Sequence, residues 1–532
     1  MGDHARAGAA ERAGGIERRH ARLAKAALIL FALCGLLFVL IAADRPSLFA
    51  APSRTGFFPG WMAGPLGGLW PGLPRDGTLL RYLFTAGLVV MYGCYLVLLS
   101  YLPAMRGAAR WLLVTLLAVH AIFLLSPPIS LTDVFNYINY GRMEVVHHLN
   151  PYTSFPILEP HSDPSYLLSN WHQLTSPYGP LFTLFTFLLV PLGVPASFWT
   201  IKVVLAVTSL ALLWLVWRCA HLLRVDPIRA VVLVGLNPIV IVWGLGGDHN
   251  DFLTVFSMVL GFYLLLRGRA AVVGRRSPDV EGVGEDEVAM ARGASVEAAM
   301  GAADSWRASG SLPARAWRWL WPPSALLIGS GAAFVAAAAF KASAGILLPI
   351  VLVSLLRTPR RFLQVLIGMV LTGLAVGVAS LIAFGLHIPD LGTQSRLVTS
   401  ISIPNLIGLA IGAGGETETL HVILSLGLIA VLLLCCWRVW RGGWDLITAC
   451  GWATVALLVA LGWVLPWYVM WLLPLAALSR SRALRRTALV LGAYLIVAWA
   501  PASGLLWSGI DFYPAKTPLG KLHQRYVKEL LN

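Results

Sequence analysis

Apolar runs near membrane-crossing length recur from residue 22 to residue 503, and they constrain this chain more than any other feature. A hydrocarbon interior offers backbone N–H and C=O groups no water, so such runs must close their hydrogen bonds inside helices. Composition agrees, with 58% hydrophobic and only 12% charged residues, about half the charged share of soluble domains. The expected fold class is an all-α polytopic membrane protein. A net charge of +15 raises the question of nucleic acid, but no basic stripe is interleaved with exposed aromatics. The positive residues sit in short loops between apolar runs, where they set orientation. The expected environment is therefore a lipid bilayer, with no nucleic acid as partner. Cys34, Cys94, Cys219, Cys435, Cys436 and Cys450 all lie in or beside apolar runs, so no disulfide frame is implied.

Residues 1–21 are polar and Arg-rich and read as an unstructured cytoplasmic tail. The run 22–43 exceeds a signal-peptide core and ends in a poor cleavage site, so it reads as a retained helix. A Gly-, Pro- and Trp-rich loop, 44–78, precedes spans at 79–101 and 108–126, which places Asp133 outside. Apolar residues 180–195 are followed by a full span, 198–222, that ends in basic residues. If both crossed, those basic residues would lie outside, so 180–195 is expected to be a juxtamembrane or re-entrant helix. Further spans are expected at 228–246, 251–266, 322–340, 342–356, 362–386, 419–437, 446–465, 467–479 and 487–503, about thirteen crossings in all. The two short ones, 342–356 and 467–479, read as half-buried around a cavity. The membrane body is then 22–503, with a first large loop at 127–179. The mixed polar stretch 268–318 reads as a disordered cytoplasmic insertion. The charged tail 504–532 falls outside by parity, against the charge rule.

Polar residues concentrate in Leu131–Tyr152, and Asp133, Tyr137, Tyr140 and Glu144 share one face of the helix it predicts. That helix is expected to lie at the membrane surface with Asp133 near its start. Capping by Asp133 and Thr132 is the structural alternative, and the apolar flanks favour a catalytic role. His147 and His148 read as surface residues. Other groups expected outside are Asp248, His249 and Asp251 in the hairpin GGDHND, Lys341 at a span junction, Arg396 in the loop 387–418, and Pro466-Trp467-Tyr468. Ionisable groups at membrane depth mark sites or pathways. Lys341 can equally snorkel, Asp251 can equally cap the next helix, and Trp467 and Tyr468 can equally be interfacial aromatics.

Taken together, DVFNYINYGR…NPY, SPYGPLF, NPIVIVWGLGGDHNDFL, Lys341 and WYVMWLLPLAAL resemble the polyprenol-phosphate-mannose-dependent α-mannosyltransferases of bacterial lipoglycan synthesis, of the α-1,6 type. These belong to the GT-C superfamily, and the likeness spans roughly residues 110–480. The resemblance implies Asp133 as general base and His249, Asn250 and Asp251 as the hairpin of the site. Asp248 stands where that pattern has a small residue. The insertion and the charged tail fall outside the pattern.

The expected chemistry is an inverting transfer of mannose, or a related hexose, from a polyprenyl-phosphate donor to a glycan or glycolipid acceptor. One carboxylate suffices to take the acceptor's proton, and cations must stabilise the departing phosphate, the roles given to Lys341 and Arg396. Asn136, Tyr137, Arg142, Tyr152, Tyr178, His249, Asn250, Asp251, Trp467 and Tyr468 are the expected substrate contacts. Asp248 and Asp251 are open to a divalent metal, Mg or Mn. No nucleotide-binding Rossmann pattern is present, which supports a lipid donor. The expected location is the bacterial plasma membrane with the site on its extracytoplasmic side. A flippase for lipid-linked glycans is the alternative class, but it calls for paired halves with interrupted helices, and no half-to-half symmetry is visible. A GT-C enzyme using another polyprenyl-phosphate sugar is a third reading.

Overall fold

The computed structural model describes residues 2–44, 59–70, 72, 76–105, 107–129, 133–273 and 323–509, and these contain helices and turns with no strand. Thr132, most of the 268–318 insertion and the 511–532 tail lie outside the described residues. The first helix, α1, spans Gly2–Asp44, so the expected unstructured tail is instead helical. Its Ala-, Arg- and Glu-rich sequence has no proline and extends a helix that the apolar run already nucleates.

Helices α2 (Gly77–Tyr101) and α3 (Ala108–Leu124) pack on α1, with the rings of Phe38 and Phe84 stacked 4.1 Å apart. Two short elements surround α4 (Asp133–His147): α5 (Pro164–Leu168), capped by Asp163, and α6 (Pro180–Phe187). Eight residues make α6 only about 12 Å long, too short to cross a bilayer. A 3-10 turn at Val190–Leu192 separates it from α7 (Gly193–Leu223), and it packs against protein helices.

The expected span 228–246 is broken. Helix α8 (Pro227–Gly235) stops before Asn237-Pro238, because proline has no N–H to continue the ladder. Asn237 Oδ1 accepts the Ile239 N–H at 2.9 Å, and a π-helical turn, Val240–Leu245, leads into the hairpin before α9 (Asp251–Val273). Helix α10 (Pro323–Phe340) packs between α9 and α12 (Pro359–Phe384). Small residues permit this: a Cβ on Gly331 would lie 2.0 Å from Val365 O, and one on Gly368 would lie 1.9 Å from Ile328 O. Between α10 and α12 the chain makes a 3-10 turn (Ala342–Ile346) and α11 (Leu347–Val353).

The remainder comprises α13 (Leu391–Ser395), α14 (Ile403–Ala410), α15 (Glu418–Trp440), α16 (Leu446–Ala460), a 3-10 turn at Pro466–Trp471, α17 (Leu473–Leu478), α18 (Arg482–Trp499) and α19 (Ser503–Gly509). Among the described residues six helices are long and apolar enough to cross a membrane, and five shorter apolar ones accompany them. Helices α12 and α15 bury only 22% and 11% of their apolar windows against protein, so their leucine-rich outer faces are suited to lipid.

Candidate active site

Every residue of α4 from Asp133 to Gly141 is buried. The helix expected to lie on the membrane surface is thus enclosed by protein, roofed by the segment that follows it. Asn136 builds that roof: its Oδ1 accepts the backbone N–H groups of Asn170 and Trp171 at 3.0 and 3.1 Å. Trp171, so placed, donates its indole N–H to Asp133 Oδ1 at 2.9 Å. Asp133 is therefore held by a side chain of the roof. Burial raises its carboxyl to about 6, against lowering by the Trp171 bond and by the charge of Lys341.

The hairpin meets α4 from below. Backbone N–H of Asn250 and Nδ1 of His249 both lie 3.4 Å from the Tyr137 hydroxyl. His249 is fully buried and stacked on Trp467 with ring centroids 3.4 Å apart. Burial, reinforced by the charge of Lys341, pushes its imidazole well below the usual value and keeps it neutral. Its Nδ1 lies 3.7 Å from Asp133 Oδ2, too far for a hydrogen bond. Asp251 accepts from Lys341 Nζ at 2.9 and 3.1 Å and from the Trp471 indole at 2.5 Å. The Lys341 ammonium also lies 4.6 Å from the Tyr468 ring centroid and 5.0 Å from that of Trp471, so two aromatic faces and one carboxylate hold it. Close backbone approach positions Lys341: Gly179 N–H donates to Phe340 O at 3.1 Å, and a Cβ on Gly179 would lie 2.1 Å from Ala339 O.

Most of these groups open on one cavity, although Asn136 and His249, both expected substrate contacts, are not in its lining. Asp133, Tyr137, Tyr140, Tyr178, Asn250, Asp251 and Lys341 line it together with Gln394, Leu397, Trp463, Trp467 and Tyr468. Both polar atoms of the Asn250 side chain are buried in its wall without a partner among the described residues. A carboxylate, a cation, an uncommitted amide and aromatic faces in one cavity suit a sugar attached to an anionic leaving group.

Two family models match the chain. One, described as alpha-(1->6)-mannopyranosyltransferase, N-terminal domain, covers residues 30–357, and the other, an MptB C-terminal domain, covers 399–510. The first takes in more than half of the chain and carries Asp133, the hairpin and Lys341. The chain belongs to this mannosyltransferase family. It is 27% identical over 409 residues to alpha-(1->6)-mannopyranosyltransferase A of Mycobacterium tuberculosis, covering 74% of this chain and 70% of the relative. A second alpha-(1->6)-mannopyranosyltransferase of that organism is 26% identical over 71% of this chain and 67% of its own length. No solved structure matches.

Not every expected residue reaches the cavity of this mannosyltransferase family member. Arg142 donates to Asp163 through Nε, at 3.0 Å to each oxygen, and through a terminal nitrogen at 2.7 Å, beside His147 at 2.9 Å. Burial alone would raise the Asp163 carboxyl, but the bonds from Arg142, Ser165 and His147 outweigh it and hold it well below the usual range. Arg142 thus belongs to a structural cluster outside the cavity lining. Tyr152 donates its hydroxyl to Tyr178 O at 2.9 Å and braces the SPYG loop. Arg396 is exposed at the end of α13 and does not line the cavity; Gln394 and Leu397, on either side of it, do.

A divalent metal does not fit Asp248 and Asp251 as placed, because each carboxylate is already neutralised by a lysine. Asp248 Oδ1 accepts from Lys202 Nζ at 2.9 Å, with both side chains 1% exposed. Among the described residues no cluster of three His, Cys, Asp or Glu suits a metal. Lys202, Trp171 and Trp471 were missed by sequence reasoning. Lys202 had a signal, an ionisable group inside the apolar run 198–222. The two tryptophans had none, since nothing local distinguishes an indole aimed at a carboxylate from a belt aromatic.

Proposed function

We propose that this chain transfers mannose, with inversion, from a polyprenyl-phosphate donor to a glycan or glycolipid acceptor on the extracytoplasmic side of the bacterial plasma membrane, with Asp133 as general base. The observation that carries this reading is the shared cavity, which buried Asp133 and the Lys341–Asp251 pair line together. A carboxyl raised to about 6 is ionised near neutral pH yet basic enough to accept a proton. In the step, the acceptor oxygen bonds to the anomeric carbon as the carbon–phosphate-oxygen bond breaks. The hydroxyl proton goes to Asp133, and the electron pair leaves with the phosphate beside Lys341. A single displacement on a β-linked donor yields an α-linkage, which accords with the relatives' name. Asn250 offers one donor and one acceptor to sugar hydroxyls, and Tyr178, Trp467 and Tyr468 offer ring faces.

The test is transfer from radiolabelled polyprenyl-phosphate mannose in membranes, wild type against Asp133→Asn. The variant is expected to lose about a hundredfold or more in kcat at unchanged protein level. Unaffected transfer would remove Asp133 from the chemistry. If no polyprenyl-phosphate sugar were used in membranes offering acceptors, the lipid donor would be overturned and the family assignment would stand.

A further inference from the structure

Of the residues lining the catalytic cavity, Asp133, Asn250, Asp251 and Trp467 are buried, whereas Trp171 and Trp463 are among those partly exposed. The two indoles therefore stand nearer the cavity mouth. They meet edge to face, with ring centroids 5.7 Å apart and ring planes at 77°. Trp171 also donates to Asp133 Oδ1 at 2.9 Å, so one side chain joins Trp463 to the carboxylate that takes the proton.

Both indoles stand on backbone that the fold fixes by itself. The Trp171 N–H is held by Asn136 Oδ1 at 3.1 Å. On the other side, Thr399 donates its N–H to Gly462 O at 2.9 Å and its hydroxyl to Val464 O at 3.4 Å, which brackets Trp463. A Cβ on Gly462 would lie 2.5 Å from Oε2 of the fully buried Glu416, so glycine lets this segment sit close against the loop behind it. A ring fixed in advance, yet partly open, loses little freedom when a ligand covers it. Trp463 is also no ordinary belt aromatic facing lipid, because it lines the same cavity as Asp133.

An acceptor must bring one hydroxyl to Asp133 while the rest of its chain stays outside. Oδ1 of Asp133 already takes the Trp171 indole, so the incoming hydroxyl meets Oδ2. The sugar that carries it then lies beside Trp171, within a ring's width of Trp463. Indole faces are electron-rich and attract the weakly positive C–H bonds of a pyranose face. We propose that Trp463 is the acceptor platform, its ring face packing on the C–H face of the acceptor's terminal pyranose while Trp171 sets its angle. This rests on the reading of Asp133 as base given above.

The test uses the full-length protein in nanodiscs, with radiolabelled polyprenyl-phosphate mannose as donor and octyl α-mannopyranoside as acceptor. Trp463→Leu keeps apolar bulk and removes the ring face. It is expected to raise acceptor KM about tenfold, with donor KM and kcat within about twofold, and Trp463→Phe is expected to restore most of the acceptor KM. A merely structural Trp463 would move both KM values and kcat together with the melting temperature. Unchanged acceptor KM in Trp463→Leu, or an equal rise in donor KM, would overturn the platform and leave the donor reading intact. Failure of the mannoside to compete with acceptors that the same protein labels in native membranes would likewise overturn a pyranose site at Trp463. If no acceptor of any kind takes label from the donor, the donor reading falls and the platform falls with it.

Discussion

At the residue scale, Asp133 illustrates how a neighbour sets a carboxylate's use. Burial raises its carboxyl, and the Trp171 indole and Lys341 partly offset that. Because the base must be ionised, the rate is expected to fall about tenfold per pH unit below about 6. Trp171→Phe removes a bond to the charged form, so the acidic limb of kcat/KM is expected to move to higher pH with the plateau retained. A pH–rate profile checks the sign, and an unmoved or lower limb would remove Trp171 from control of Asp133. Asp133 itself stood out in the sequence because polar residues are scarce there. Its partner did not, because the Trp171 bond joins residues 38 apart and depends on Asn136 holding the roof backbone in place.

At the element scale, the hairpin between the π-helical turn and α9 is the part most dependent on unusual features. Asp248 has a left-handed φ of 57°, a conformation that Asn and Asp tolerate better than most residues. Its carboxylate meets Lys202 of α7 in full burial. Lys202→Met is expected to leave that carboxylate uncompensated and to cost about 3–5 kcal/mol, and Lys202→Met with Asp248→Asn to recover most of the loss. Melting temperatures of the two single variants and the double would measure this; equal, additive losses would mean the pair does not act as a unit. The hairpin motif was legible because three ionisable groups in a short turn exceed what a helix cap needs. The break in α8 was less so: hydropathy over 228–246 is continuous, and only Asn237-Pro238 announces that the ladder stops.

At the scale of the whole molecule, several basic helix ends lie close to one another. Arg480 donates to Leu223 O at 3.2 Å, joining the end of α7 to the start of α18, and Arg485 lies near Arg229 as Arg269 lies near Arg361. Helix α9 carries the chain from Asp251 in the cavity to Arg269, about 27 Å along its axis. A membrane-impermeant thiol reagent on intact cells is therefore expected to label Ser395→Cys and to spare Arg357→Cys until the membrane is permeabilised; both positions are exposed. The reverse pattern would invert the proposed sidedness. By itself the sequence determined an all-helical membrane body and which motifs hold Asp133, the hairpin and Lys341. Those follow from local quantities: hydropathy, charge placement and helical spacing. Only the tertiary structure decided that α4 is enclosed, that Arg142 and Tyr152 brace loops, that Arg396 stands outside the cavity, and that Lys202 and Lys341 each claim a carboxylate. These outcomes depend on contacts between segments as much as 220 residues apart, as in Trp471 with Asp251. No local pattern encodes which of several buried polar groups will become partners.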